Sequence, residues 1–239
     1  MEKDLTEEFI TLIKTKILKG EFGIGTPLPS LRELSEQYGY SRAVVNVAIA
    51  KLVSQGYILS KKRKMNIIND YLNYGKIEVI SDMVFSDNKE LGFKALNDIV
   101  EARELIETES VRKACESSCA ADFHEIELII SEENRIKTIS SANLELASDL
   151  DYRFHWHLVK LSGNIVYRLA FNEFSEFAKA VTKQYFQNHP DTYLDVVRSH
   201  ERLVASMKKQ NITEALVNLD VMLAGGDQRY KEKNPLNQK

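Results

Sequence analysis

Proline and glycine are scarce, four and ten among 239 residues, which excludes a collagen-like or loop-rich scaffold. Cysteine is scarcer still. Cys115 and Cys119 stand four apart in a stretch with helical periodicity, so no disulfide framework is expected and a reducing compartment fits. No apolar run approaches the roughly 20 residues needed to cross a bilayer, and the opening Met1-Glu2-Lys3-Asp4 lacks the apolar stretch of a signal peptide. What is present is 44% apolar and 28% charged residues, too hydrophobic for a disordered chain. At 27.4 kDa the chain suffices for two modest domains. The expectation is a soluble, cytoplasmic, mostly α-helical protein without a membrane partner.

Net charge is −3, but it is unevenly spread. Residues 1–70 hold 11 Lys/Arg against 8 Asp/Glu, a net of +3, and the remainder holds 21 against 27, a net of −6. From Gln37 to Asn69 there is no carboxylate at all, only Arg42, Lys51 and the run Lys61-Lys62-Arg63-Lys64 as charged residues. Such asymmetry points to an anion-binding module at one end of the chain.

The periodicity of that end predicts a first amphipathic helix over Leu5–Leu18, with Phe9, Ile10, Ile13, Ile17 and Leu18 on one face. Gly20 and Gly23 end it, and Pro27 and Pro29 impose an extended turn. Ser30 and Glu33 form a capping box that opens a second helix through Tyr38. Ser41 caps a third, over residues 42–55, which Gly56 terminates. Tyr57-Ile58-Leu59 and Met65-Asn66-Ile67-Ile68 read as two short strands flanking the cationic run. Three helices and a two-stranded wing are expected.

On the third helix Val45, Ala48, Ile49 and Leu52 share the inward face. Arg42, Ala43, Asn46, Val47 and Ala50 point outward, a face too apolar for ordinary solvent. It suits the DNA major groove: Arg grips guanine, Asn pairs with adenine, and Ala or Val meets a thymine methyl. Ser41 and the backbone N–H groups at the helix start suit a phosphate, and Arg32 is placed for a backbone or base contact. The run Lys61 to Lys64 would follow the minor groove. Taken singly, a lysine-rich hairpin tip is a solvated edge and a lone Asn needs no ligand. Their coincidence favours nucleic acid.

Gly25-Thr26-x-Leu28-Pro29-Ser30-x-Arg32-Glu33-Leu34, Gly39-x-Ser41-Arg42, then Val45, Ala48, Leu52 and Gly56-Tyr57-Ile58 resemble the winged helix of GntR-family bacterial transcription regulators, over about residues 5–69. The resemblance implies operator contacts by Arg32, Ser41, Arg42 and Asn46, with the wing tip in the minor groove. The sequence departs from the family at Lys62-Arg63, where glycine is usual in the wing turn.

Residues 71–91 read as a polar connector with an apolar patch at 77–85. Beyond it only helical periodicity appears, with candidate helices at 92–117, 121–139, 142–162, 164–188, 190–210 and 212–232, an antiparallel bundle large enough to enclose a pocket. The expected organisation is a DNA-binding domain over 1–70, a linker over 71–91 and an effector-binding and dimerisation domain over 92–239. Asp151 and His155 stand at i and i+4 on one helical face, and His200 on a later helix is placed to join them as a Zn, Ni or Mn site. The plainer alternative has Asp151 orienting a core His155 while His200 lies at the surface. Arg103 and Glu107 form an i,i+4 pair that is of little consequence at the surface, but binds an anionic ligand if Arg103 faces the cavity. Trp156 reads as core.

Arg103-x-x-x-Glu107, Asp151-x-x-Phe154-His155, Ser162-Gly163-Asn164 and His200 in Ser-His-Glu-Arg-Leu resemble the FCD/FadR branch of the same family over about residues 93–223. In metal-binding members an Asp and three His hold the ion. By this resemblance Asp151, His155 and His200 take three of those places, and the fourth falls at or near Met222. Leu150-Asp151-Tyr152, Tyr167, Leu169 and Tyr185-Phe186-x-Asn188 look more like the fatty-acid-responsive FadR regulators, which implies acyl-CoA as ligand; Phe171, Phe174, Phe177, Tyr185 and Phe186 offer a lining that suits an acyl chain and equally suits an ordinary core. The expectation is therefore a homodimeric, non-enzymatic regulator of double-stranded operator DNA. Its effector is bound among Arg103, Asp151, His155, Asn164, Tyr185 and His200, with a lean to acyl-CoA over a small carboxylate held with a metal. The rival from another class is a helical metalloenzyme using the same triad, with Glu201 as its only evident base.

Overall fold

The computed structural model describes residues 4–60, 65–117 and 120–232. The chain divides into two compact units, residues 1–97 and 98–239, each with a core of its own.

In the first unit Asp4 caps α1 (Leu5–Leu18) by accepting from the N–H groups of Thr6 and Glu7. The five apolar positions read from the sequence are all buried there. Ser30 and Glu33 form a complete capping box on α2 (Leu31–Tyr38), and Gly39, at φ 76°, ends that helix in a conformation a side chain resists. Ser41 caps α3 (Arg42–Ser54) by accepting from Val44 N–H. The α1 and α2 helices both pack against α3, where Val45, Ala48, Ile49 and Leu52 are buried. Strands β1 (Ile58–Leu59) and β2 (Ile67–Ile68) pair antiparallel with Ile58 opposite Ile68. Residues 25–28 add a rung that periodicity did not predict. Gly25 N–H donates to Ile68 C=O, Ile68 N–H to Thr26 C=O and Leu28 N–H to Asn66 C=O. Pro27 falls between these bonds, where its missing N–H costs nothing. The cationic run at Lys61, Lys62, Arg63 and Lys64 lies outside the described residues.

Residues 71–91, expected as a connector, carry α4 (Tyr71–Tyr74) and α5 (Glu78–Val84). Tyr71, Val79 and Met83 are buried in the first core. Asp82 accepts from Tyr57 Oη at 2.8 Å and from Lys14 Nζ at 2.7 Å, which ties α5 to α1 and to the root of the wing.

The unit boundary falls within α6 (Lys89–Ser117). The second unit then runs through α7 (His124–Glu133), α8 (Leu144–Leu161), α9 (Ile165–Glu173), α10 (Ser175–Asn188), α11 (Tyr193–Lys208) and α12 (Ile212–Glu232). Its core gathers Val111, Ile126, Ile129, Leu150, Phe154, Leu158, Phe186, Val197, Leu203 and Leu219, and each such side chain contributes about 1.5–3 kcal/mol on burial. Three expected helices differ, the one at 190–210 in opening as a short 3-10 turn over Pro190–Thr192. The one at 121–139 starts as a short 3-10 helix and ends at Glu133, and Asn143 then anchors the loop by accepting from Ser140 N–H and donating to Thr138 C=O. The one at 164–188 breaks at Phe174 (φ −92°, ψ 0°), a bend with which Phe171, Phe174 and Phe177 are all buried. Among the described residues, no helix is long and apolar enough to cross a membrane.

Candidate functional site

Two sites were expected, one in each unit. In the first, Arg42, Ala43, Asn46, Val47 and Ala50 are all exposed along α3, Val47 to 56%. A valine and two alanines held in water beside one guanidinium and one carboxamide are an odd solvent face and a good groove-reading one. Ser41 is exposed at the start of the same helix, with its hydroxyl accepting in the cap. Arg32 is exposed on α2, with Nε donating to Glu36 Oε1 at 2.8 Å. At 72% and 61% exposure that pair is readily exchanged for a phosphate.

In the second unit α8 and α11 bring Asp151, His155 and His200 together, with one candidate ligand atom from each within 4.8 Å of the others. All three are buried, so His200 is not the surface residue of the plainer alternative. Each is held from outside. His155 Nδ1 lies 2.5 Å from Glu107 Oε2, and Glu107 in turn accepts from Arg103 Nε at 2.5 Å. His200 Nδ1 lies 3.0 and 3.1 Å from the two carboxylate oxygens of Glu133. Thr182 Oγ1 donates to Asp151 Oδ2 at 3.1 Å. The Phe154 ring stacks on that of His200, with centroids 3.6 Å apart and planes 8° apart.

The charges decide what the imidazoles present. Burial alone would raise the pKa of Glu107, but Arg103 and His155 reverse this and hold it at about 2. An ionised carboxylate accepts only, so His155 carries its proton on Nδ1 and turns the Nε2 lone pair the other way. For His200, burial disfavours charge, yet Glu133, Asp151 and Glu107 outweigh burial and raise its pKa. His200 Nε2 is buried, 3.8 Å from Asp151 Oδ1, and has no hydrogen-bond partner among the described residues. A carboxylate oxygen and two imidazole nitrogens, one of them a buried orphan, are a donor set that fits a divalent transition metal.

Arg103, a candidate effector residue, joins this cluster through Glu107. Asn164 caps α9 by accepting from Val166 and Tyr167 N–H. Tyr185 is half-buried on α10 beside Phe186 and His189. Met222 is partly buried against the second core. Phe171, Phe174, Phe177 and Phe186 are buried, as ordinary core residues are. Trp156 is not core: its Nε1 donates to Asn172 near the surface. Glu201, the base an enzyme would need, is exposed and accepts from Asn134 Nδ2. Sequence reasoning missed Glu133 and Thr182. Glu133 left one signal, because it follows Ile126, Ile129 and Ile130 on the buried face of α7, where an acid is out of place.

Comparison with known proteins finds a family model for each of the two units. The family model "Bacterial regulatory proteins, gntR family" matches residues 5–65, and that of the FCD domain matches residues 98–217. The HTH-type transcriptional regulator Mce2R of Mycobacterium tuberculosis is 27% identical over 173 residues, 72% of this chain and 69% of that protein. The galactonate operon transcriptional repressor of Escherichia coli is 21% identical over 234 residues, 97% of this chain and 99% of the repressor. Among solved structures, that of Lar, described as controlling the Listeria monocytogenes agr system, superposes with a TM-score of 0.65 at 18% identity, covering 98% of this chain and 100% of that one. That likeness establishes the fold.

Proposed function

Since the chain belongs to the gntR family of bacterial regulatory proteins and carries an FCD domain, we propose that it is a homodimeric operator-binding transcription regulator controlled by a small carboxylate at a metal centre. Residues 1–97 serve as the DNA-binding part and residues 98–232 as the effector-binding part. Two copies place two α3 helices in successive major grooves about 34 Å apart on a palindromic site. Arg42 reads guanine, Asn46 reads adenine, Ala43 and Val47 meet thymine methyls, and Ser41 and Arg32 hold phosphates.

The observation that carries the effector reading is the buried, unpartnered Nε2 of His200 facing Asp151. Asp151, His155 and His200 would hold Zn, Ni or Mn. When bound, such an ion supplies a concentrated positive charge that attracts a carboxylate. Arg103 engages Glu107 through Nε, which leaves its terminal nitrogens to receive the same ligand. A cluster with three carboxylates and a guanidinium suits a small polar anion better than an acyl chain, whose burial would leave those charges unmatched. The likeness to a galactonate operon repressor, named for the operon of a small hydroxy acid, points the same way.

The test has two arms. Selection from a random duplex pool followed by fluorescence anisotropy should yield a palindrome with half-sites one helical turn apart. Salt-sensitive binding without sequence preference would refute the operator reading. Metal analysis of the purified protein should find about one transition-metal ion per chain, lost in His200→Ala; a wild type that neither carries nor takes up metal would refute the centre.

A further inference from the structure

We infer that Glu133 is a positioning residue that fixes His200 for metal binding, an inference that rests on the metal centre proposed above. Glu133 ends α7 on its apolar side and is 1% exposed. Burying a carboxylate is costly unless something answers its charge. The other buried glutamate, Glu107, is answered by the guanidinium of Arg103. Among the described residues Glu133 has no Lys or Arg ion-pair partner, and its carboxylate oxygens both converge on Nδ1 of His200. Its backbone carbonyl is separately held, accepting from Tyr193 Oη at 3.2 Å, so the end of α7 is pinned where the carboxylate needs to be.

The consequence falls on the far side of the ring. A carboxylate can only accept, so Nδ1 keeps its proton and Nε2 is the nitrogen left for a metal, which would displace any proton that Nε2 carries. Rotation of the imidazole is resisted by Phe154, stacked 3.6 Å away. A histidine serving only the core would have both nitrogens hydrogen-bonded. Here one is bonded to a carboxylate and the other is turned toward Asp151 without a hydrogen-bond partner among the described residues. That is the arrangement in which an outer carboxylate orients a metal-binding imidazole and raises its basicity. Glu133 also supplies charge, which a divalent ion on the opposite nitrogen would balance through the ring.

The experiment is titration of full-length, metal-stripped protein with Zn²⁺ or Ni²⁺ against a chromophoric chelator, with far-UV circular dichroism of each variant. Glu133→Ala, which removes both acceptor and charge, should weaken binding about 10–100-fold. Glu133→Gln keeps the volume and an acceptor for Nδ1–H without the charge and should recover part of that loss, while the far-UV spectrum of each variant separates lost metal affinity from lost structure. Nitrogen-15 spectra of wild-type His200 should show Nδ1 protonated before and after metal addition, with Nε2 the atom that shifts, and this readout stands if either variant does not fold. Variants that bind as tightly as the wild type, or a wild-type Nδ1 without its proton in the metal-bound form, overturn the role of Glu133 alone. A wild type that takes up no metal overturns the centre together with it.

Discussion

Glu107 is fully buried between Arg103 Nε and His155 Nδ1, so one carboxylate serves both a guanidinium and a candidate metal ligand. Glu107→Gln keeps an acceptor for His155 but removes the charge that answers Arg103, and should cost about 3 kcal/mol in urea unfolding at neutral pH, the lower part of the range for breaking a buried pair. The loss should depend on pH in a definite sense. Glu107 titrates at about 2 in the folded protein, against an ordinary glutamate near 4.3. Its contribution is therefore complete above the ordinary value and disappears as pH falls toward the folded one. The gap between wild type and Glu107→Gln should be full at pH 6 and visibly smaller at pH 3, and a gap that widens on acidification would contradict the pairing. At this scale the sequence was half legible. A spacing of four along one helix exposes Arg103 with Glu107 and Asp151 with His155, because a turn of helix is a local rule. Nothing local joins Glu133 to His200 across 67 positions. Only the intrusion of an acid into the Ile126, Ile129, Ile130 face marks it, and that pattern says buried without naming a partner.

The α3 helix separates affinity from stability. Arg42 and Asn46 are exposed, so replacing either by Ala should leave the unfolding midpoint within about 0.5 kcal/mol of wild type. Each should weaken operator binding by about 1–3 kcal/mol, roughly 5–150-fold, through lost base contacts. Leu52→Ala, on the opposite face and fully buried, should do the reverse, costing about 2–5 kcal/mol of stability through the cavity it leaves. Anisotropy with the selected operator and urea denaturation of the three variants check both sides of that contrast; an Asn46→Ala protein with intact operator affinity would remove α3 as the reading helix. Elements of this unit were legible because their ends are chemically signed: Ser30 with Glu33, Gly39 and Ser41 each fix a boundary by a local hydrogen bond or a positive φ. The break between α9 and α10 carries no such sign. It comes at Phe174 without a nearby glycine or proline and with no side-chain cap, so tertiary packing of the phenylalanines, which periodicity cannot see, accompanies the bend.

Two cores with separate memberships mean that ligands of one part need not stabilise the other equally, and unfolding should not be treated as a single two-state step. All of the proposed metal ligands and their outer partners, Glu107, Glu133 and Thr182, lie in residues 98–232. An ion that binds the folded centre and not the unfolded chain adds about 2.7 kcal/mol at a free concentration 100 times its dissociation constant. For a part of this size that is a rise of about 10 °C in its midpoint. Calorimetry of the full-length protein should accordingly show the transition assigned to α8 and α11 falling on chelation and returning with Zn²⁺ or Ni²⁺, while the one assigned to α1 and α3 stays. Hydrogen exchange read on peptides from those helices makes the assignment independent of the heat signal. His200→Ala should abolish the response to metal, because it removes the ligand whose nitrogen is otherwise buried and bare. Operator DNA should have the opposite selectivity, raising protection in α3 first. If chelation left both transitions unmoved in protein shown to carry an ion, that ion would have to be held somewhere other than the Asp151, His155 and His200 cluster.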